Sequence, residues 1–320
     1  MPNRAGAIHL FRIAGIDVFL HWSWFIIAII EIGTLKDRYS SPVWSVLEYL
    51  SLFLIVLLHE FGHAFACRQV GGVADRIMLW PLGGVAYVDP PQRPGAMLWS
   101  LAAGPLVNVA LLPFIGGAYF LAGANGGAHP TADPYIWLHS VLWIDIGLFV
   151  FNILPIYPLD GGQILRSLLW FVLGRGRSLL VATVLGFVGA VGFVAIGLWA
   201  RSIWTIAISA YLVMNCWNGW KTARVLLKVE KLPRRDGFAC PSCGVRPPLG
   251  PRWRCAQCTN PFDTFASGAV CPHCSARFPN TVCFDCQRSH SIDDWARAGG
   301  AATGTLSGAP VVIDHHPAGS

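Results

Sequence analysis

Charge is scarce in this chain. Asp, Glu, Lys and Arg make up 12% of its 320 residues, where soluble domains carry about 25%. With 54% hydrophobic residues and a mean hydropathy of +0.52, that scarcity excludes an ordinary soluble domain and indicates a polytopic membrane protein. Acidic residues are rarest where the chain is most apolar. Between Leu52 and Leu232 only Glu60, Asp75, Asp89, Asp133, Asp145, Asp160 and Glu230 occur. No A-x-A-like site follows the first apolar run, so the N-terminal stretch reads as a retained span rather than a cleavable signal. There is no long basic face, and the net charge of +6 is modest, which disfavours nucleic acid as a partner.

What is present is a set of apolar runs near the ~20 residues needed to cross a bilayer. Six are expected: Asp17–Gly33, Val43–Cys67, Ala96–Leu121, Ile136–Pro155, Leu179–Ala200 and Ser202–Asn218. The fifth holds Gly186, Gly189, Gly192 and Gly197, small residues that let neighbouring helices approach. With the N-terminus inside, fourteen Lys and Arg fall in inner segments and three (Lys36, Arg38, Arg201) in outer loops. The positive-inside rule then puts both termini in the cytoplasm, and the chain is expected in a prokaryotic cell membrane.

The second run ends in His59-Glu60-Phe61-Gly62-His63. On a helix, residues four apart share a face, so His59 and His63 can hold one metal ion, with Glu60 beside them as general base. A catalytic zinc wants three protein ligands and an open position. The third candidate is Asp160, in Asn152-Ile-Leu-Pro-Ile-Tyr-Pro-Leu-Asp-Gly-Gly162. Pro155 and Pro158 break the fourth span, and Gly161-Gly162 permits a turn that presents Asp160 from an irregular segment. Asp145, His21 and His139 read as structural, and Cys67 and Cys216 as small hydrophobes.

The two motifs together resemble the site-2 protease family of intramembrane zinc metalloproteases. Ala103-Gly-Pro-Leu-Val-Asn108 is similar to that family's Gly-Pro…Asn segment, and Pro81-Leu-Gly-Gly-Val-Ala86 to its stretch between the second and third helices. The match covers roughly residues 10–220. The resemblance implies an intramembrane metalloendopeptidase that hydrolyses transmembrane substrate proteins within or near the bilayer. It implies zinc held by His59, His63 and Asp160, with Glu60 catalytic. Tyr157 stands where the family commonly has Pro. The likeness to the sporulation-type branch is looser, because this chain lacks its nucleotide-sensing module. Asn108 and Asn152 are candidates to hold the substrate backbone or an oxyanion, or equally to bond helix to helix. Residues Ile77–Val88, with Pro81, Gly83 and Gly84, read as a re-entrant segment or a strand edge for an extended substrate. The alternative function is a catalytically silent scaffold that recruits partners; the presence of Glu60 argues against it.

Composition changes near Arg235. Four C-x-x-C pairs follow: Cys240/Cys243, Cys255/Cys258, Cys271/Cys274 and Cys283/Cys286. Eight such ligands imply two structural zinc ions, with iron not excluded by spacing, and a reducing compartment disfavours disulfides. Sequential pairing, first with second and third with fourth, is the simplest arrangement; a crossed one stays open. Trp253 between Arg252 and Arg254 raises nucleic-acid binding, but a protein partner suits the low charge better. His273 reads as loop. The expected whole is an all-α polytopic protein of about six helices with a short re-entrant or β segment. It divides into an intramembrane domain (1–235), a double zinc ribbon (236–290) and a disordered tail (291–320).

Overall fold

The computed structural model describes residues 6–35, 37–80, 83–124, 132–286 and 288–300. The chain divides into two units, Met1–Trp220 and Lys221–Ser320.

The first unit opens with strands, not with a helix. β1 (Ala7–Ile13) and β2 (Ile16–His21) precede a twelve-residue helix α1 (Ser23–Thr34). The expected first span, Asp17–Gly33, thus begins as strand and becomes helix only at Ser23. The reason is a period of two: Ile16, Val18 and Leu20 are buried, while Asp17, Phe19 and His21 are less so. At 1.5 Å per residue α1 is only ~18 Å long, short of the ~30 Å hydrocarbon core.

Helix α2 (Pro42–Gln69) follows, started by Pro42 and by the Ser41 side chain, which accepts from Val43 N. Then come β3 (Val73–Trp80) and β4 (Gly83–Asp89), an antiparallel pair where a re-entrant or strand segment was expected. Pro81 and Leu82 of that segment lie outside the described residues. The sheet order is β1-β2-β3-β4, with β2 and β3 parallel and β4 on one edge. Ile16, Val18, Leu20, Ile77 and Leu79 from the sheet pack with Val56, Leu57, Phe61 and Ala64 of α2 into one core.

Four further helices complete the unit: α3 (Pro94–Ala124), α4 (Asp133–Ile153), α5 (Asp160–Leu173) and α6 (Arg175–Trp199); α7 (Ile203–Glu230) runs on into the second unit. Among the described residues, α2, α3, α4 and α6 are long and apolar enough to cross a membrane. The glycines of α6 act largely as expected. A Cβ at Gly186 would meet Tyr157 O at 2.9 Å, and one at Gly189 would meet Ile156 Cγ1 at 2.5 Å, whereas Gly192 has nothing near it.

The second unit is a small cysteine-rich fold. Two hairpins, β5 (Trp253–Arg254) with β6 (Pro261–Phe262) and β7 (Asn280–Val282) with β8 (Ser289–Ser291), surround Trp253, Phe262, Phe278 and Trp295. Helix α8 (Ile292–Gly299) supplies Trp295, so residues 292–299 belong to this core and not to the expected tail; residues 301–320 lie outside the described residues. Arg234 pairs with Asp285 (2.8 Å) and Arg235 with Asp263 (2.6 Å), so the fold begins before residue 236.

Candidate active site

Helix periodicity puts His59 and His63 on one face of α2, one turn apart, both buried. Helix α4 ends at Ile153 before Pro155, the chain turns irregularly through residues 154–159, and Asp160 opens α5. That break delivers the carboxylate to the histidines. Asp160 Oδ2 lies 3.0 Å from His59 Nε2 and 3.2 Å from His63 Nε2, and the two Nε2 atoms are 3.1 Å apart.

This triangle fits a metal ion. His63 Nδ1 sits 2.8 Å from Ser100 O. A carbonyl only accepts, so Nδ1 carries the proton and Nε2 turns a lone pair inward. A tetrahedral zinc with ligands near 2.0–2.1 Å has ligand–ligand edges of about 3.3 Å, close to the three distances seen. Gly104 of α3 makes room: a Cβ there would meet His63 Nε2 and lie 2.7 Å from His59 Nε2.

Glu60 is buried next to this triangle. Its Oε2 accepts from Ala86 N of β4 at 2.8 Å. Glu60 also lines a cavity of about 380 Å³ with His59, His63, Gly84, Asn152, Asp160, Gln163 and Tyr211. The cavity is partly open and brings polar groups together with apolar walls.

The two asparagines part company. Asn152 lines the cavity. Asn108 is fully buried and stands behind His59, its Oδ1 2.7 Å from Nδ1, so it bonds α3 to α2 and α4 instead of facing a substrate. His21 stacks on Trp80 and His139 pairs with Trp143, both as structural residues. Ser100 and Ala86 contribute through their backbones, which their side chains do not announce. Gly84 and Gly104 do carry a signal, since each stands in a segment singled out above.

The eight cysteines form two tetrads, but nested rather than sequential. Cys240 and Cys243 join Cys283 and Cys286; Cys255 and Cys258 join Cys271 and Cys274. The cause is topological: the first and fourth pairs close around the second and third, which meet each other within the intervening chain. Sulfur–sulfur distances are 3.5 and 3.8 Å in one tetrad and 3.5 and 3.7 Å in the other. Those are far beyond a disulfide and near the ~3.8 Å edge of a tetrahedral zinc–thiolate site. Hydrogen bonds from Cys243, Cys283 and Cys286 hold the Cys240 thiol well below its usual range, while Cys243 and Cys283 are pushed up. Trp253 is 0% exposed and donates to Val282 O at 3.2 Å, so it offers no face for base stacking. His273 is exposed and outside both tetrads.

The family model described as Peptidase family M50 matches residues 48–133 and 127–196. A zinc metalloprotease of Methanocaldococcus jannaschii is 32% identical over 232 residues, 72% of this chain and 65% of that protein. Stage IV sporulation protein FB of Bacillus subtilis is 34% identical over 119 residues, 36% of this chain and 38% of that protein. A solved site-2 protease from Methanocaldococcus jannaschii is 29% identical, covering 67% of this chain and 95% of that one, with a TM-score of 0.47. The chain spans less than two thirds of the length of these two curated relatives. The metal groups fit one catalytic zinc at His59, His63 and Asp160 and two structural zincs at the tetrads.

Proposed function

We propose that this chain, which matches the model of Peptidase family M50 through residues 48–133 and 127–196, is a member of that family and an intramembrane zinc metalloprotease that hydrolyses transmembrane proteins within or near the bilayer. The observation that carries this reading is the convergence of His59, His63 and Asp160 beside Glu60 on the wall of one cavity. Zinc held by the three ligands would lower the pKa of a water toward ~7 and polarise the scissile carbonyl. Glu60, fixed by the Ala86 N–H, takes the water's proton at Oε1 and returns it to the leaving amine. Asn152 on the cavity wall holds the substrate backbone. A helix hides its carbonyls, so the substrate unwinds and adds as a strand to the β4 edge, whose Gly84–Ala86 segment borders Glu60.

Six crossings remain the reading, with the first made in an unexpected way. Arg68, at the end of α2, donates to Gly15 O at 3.1 Å, and Ser45, at its start, donates to Leu35 O at 3.3 Å. Residues Gly15–Leu35 therefore run the length of α2 as β2 plus α1. Their combined rise, ~20 Å of strand and ~18 Å of helix, suffices to cross. α7 makes the sixth crossing. Both termini then lie in the cytoplasm of a prokaryotic cell, and the ribbon tetrads dock a protein partner there. The test is cleavage of a purified transmembrane substrate in detergent: chelation should abolish it and added Zn²⁺ should restore it. Cleavage indifferent to chelation would refute the proposal.

A further inference from the structure

The two histidines are supported differently. Behind His63 stands a backbone carbonyl, Ser100 O. Behind His59 the support is two residues deep: Nδ1 is 2.7 Å from Asn108 Oδ1, and Asn108 Nδ2 donates to Asp145 Oδ1 at 2.7 Å. Asp145 lies on α4, fully buried. Its Oδ2 has no hydrogen-bond partner, and no ion pair reaches it among the described residues. A simple clamp between α3 and α4 needs no carboxylate, and a buried one with an unpaired oxygen is costly to keep.

What a carboxylate adds is polarity. Asp145 Oδ1 accepts from the Asn108 NH₂, which turns the Asn108 Oδ1 toward His59. Oδ1 also only accepts, so His59 Nδ1 must carry the proton. Nε2 is then left with a lone pair facing His63 and Asp160. With the Asn108 amide reversed, His59 would need its proton on Nε2, aimed at Asp160, and the ligand position would close. We propose that Asp145 is a positioning residue of the metal centre, which acts through Asn108 to hold His59 in the tautomer that binds metal. The inference rests on the reading of His59, His63 and Asp160 as a zinc site.

The test uses the full chain in detergent and Zn²⁺ itself, counting bound zinc against a graded competing chelator. A His59→Ala chain, holding only the two tetrad ions, sets the baseline. In Asp145→Asn the amide can present either face, so the polarity is no longer imposed. The third zinc should bind about 10-fold more weakly, and toward 100-fold more weakly in Asp145→Leu, the range for residues that orient metal ligands. On an Asn108→Leu background, Asp145→Asn should have no further effect. Asp145→Asn is nearly isosteric and decides the matter if Asp145→Leu does not fold. Unchanged zinc affinity in Asp145→Asn, or an equal loss with and without Asn108, would overturn the relay alone. Three zincs retained by His59→Ala would instead overturn the metal site, and the relay with it.

Discussion

Gly84 offers a way to disturb the base without touching the metal ligands. A Cβ at this position would lie 2.5 Å from Glu60 Cδ and Oε1, and nearer still to Cγ. Ordinary contacts begin near 3.4 Å, so something must give by about 1 Å. The Gly84 backbone has no positive φ, so alanine brings no backbone strain of its own. Glu60 has little freedom, being buried with Oε2 held by Ala86 N at 2.8 Å. The carboxylate should therefore shift by roughly that 1 Å. A misplacement of this size costs about 10²-fold in rate, or about 2.7 kcal/mol of barrier. Gly84→Ala should lower kcat about 100-fold on a transmembrane substrate in detergent while bound zinc stays the same. Gly104→Ala makes the contrast, because its Cβ falls on the histidine Nε2 atoms and should remove zinc and activity together. Full activity in Gly84→Ala would refute the placement of Glu60 as the base held against β4.

Asp160→Ala and His59→Ala should each lose the third zinc and cleavage together; a normal third zinc in Asp160→Ala would move that ligand elsewhere. The nested tetrads make a counting prediction. Cys243→Ser with Cys283→Ser should lower bound zinc by one ion, and Cys243→Ser with Cys258→Ser by two, whereas sequential pairing reverses those counts. Reporter fusions after Arg235 should behave as cytoplasmic and a tag placed between residues 124 and 134 should be reached from outside; the opposite pattern would overturn the charge-based topology.

The triangle of His59, His63 and Asp160 was legible because each part had a local cause. Two histidines four apart needed only a helix, and Asp160 needed only the chain breakers around it. β2 was not legible, since Ile16, Val18 and Leu20 alternate with Phe19 and merge into the apolar run of α1, which hides a period of two. The pairing of the cysteines was hidden for another reason. Four identical C-x-x-C pairs are chemically equivalent, and the fold around them chooses the partners. Asn108 carried two readings, and only its neighbours His59 and Asp145 decide between them. The end of the cysteine-rich fold was not legible because one short helix with a buried tryptophan, Trp295, leaves little trace in composition.

The most direct test of the central claim compares the wild-type chain with Glu60→Gln on one transmembrane helical substrate, with zinc measured on the same samples. Glutamine keeps the shape and all three ligands but cannot take a proton. The wild-type chain should cleave the substrate, and Glu60→Gln should hold three zinc ions while its rate falls by about 10²–10⁴-fold. Cleavage by zinc-loaded Glu60→Gln at the wild-type rate would contradict the account.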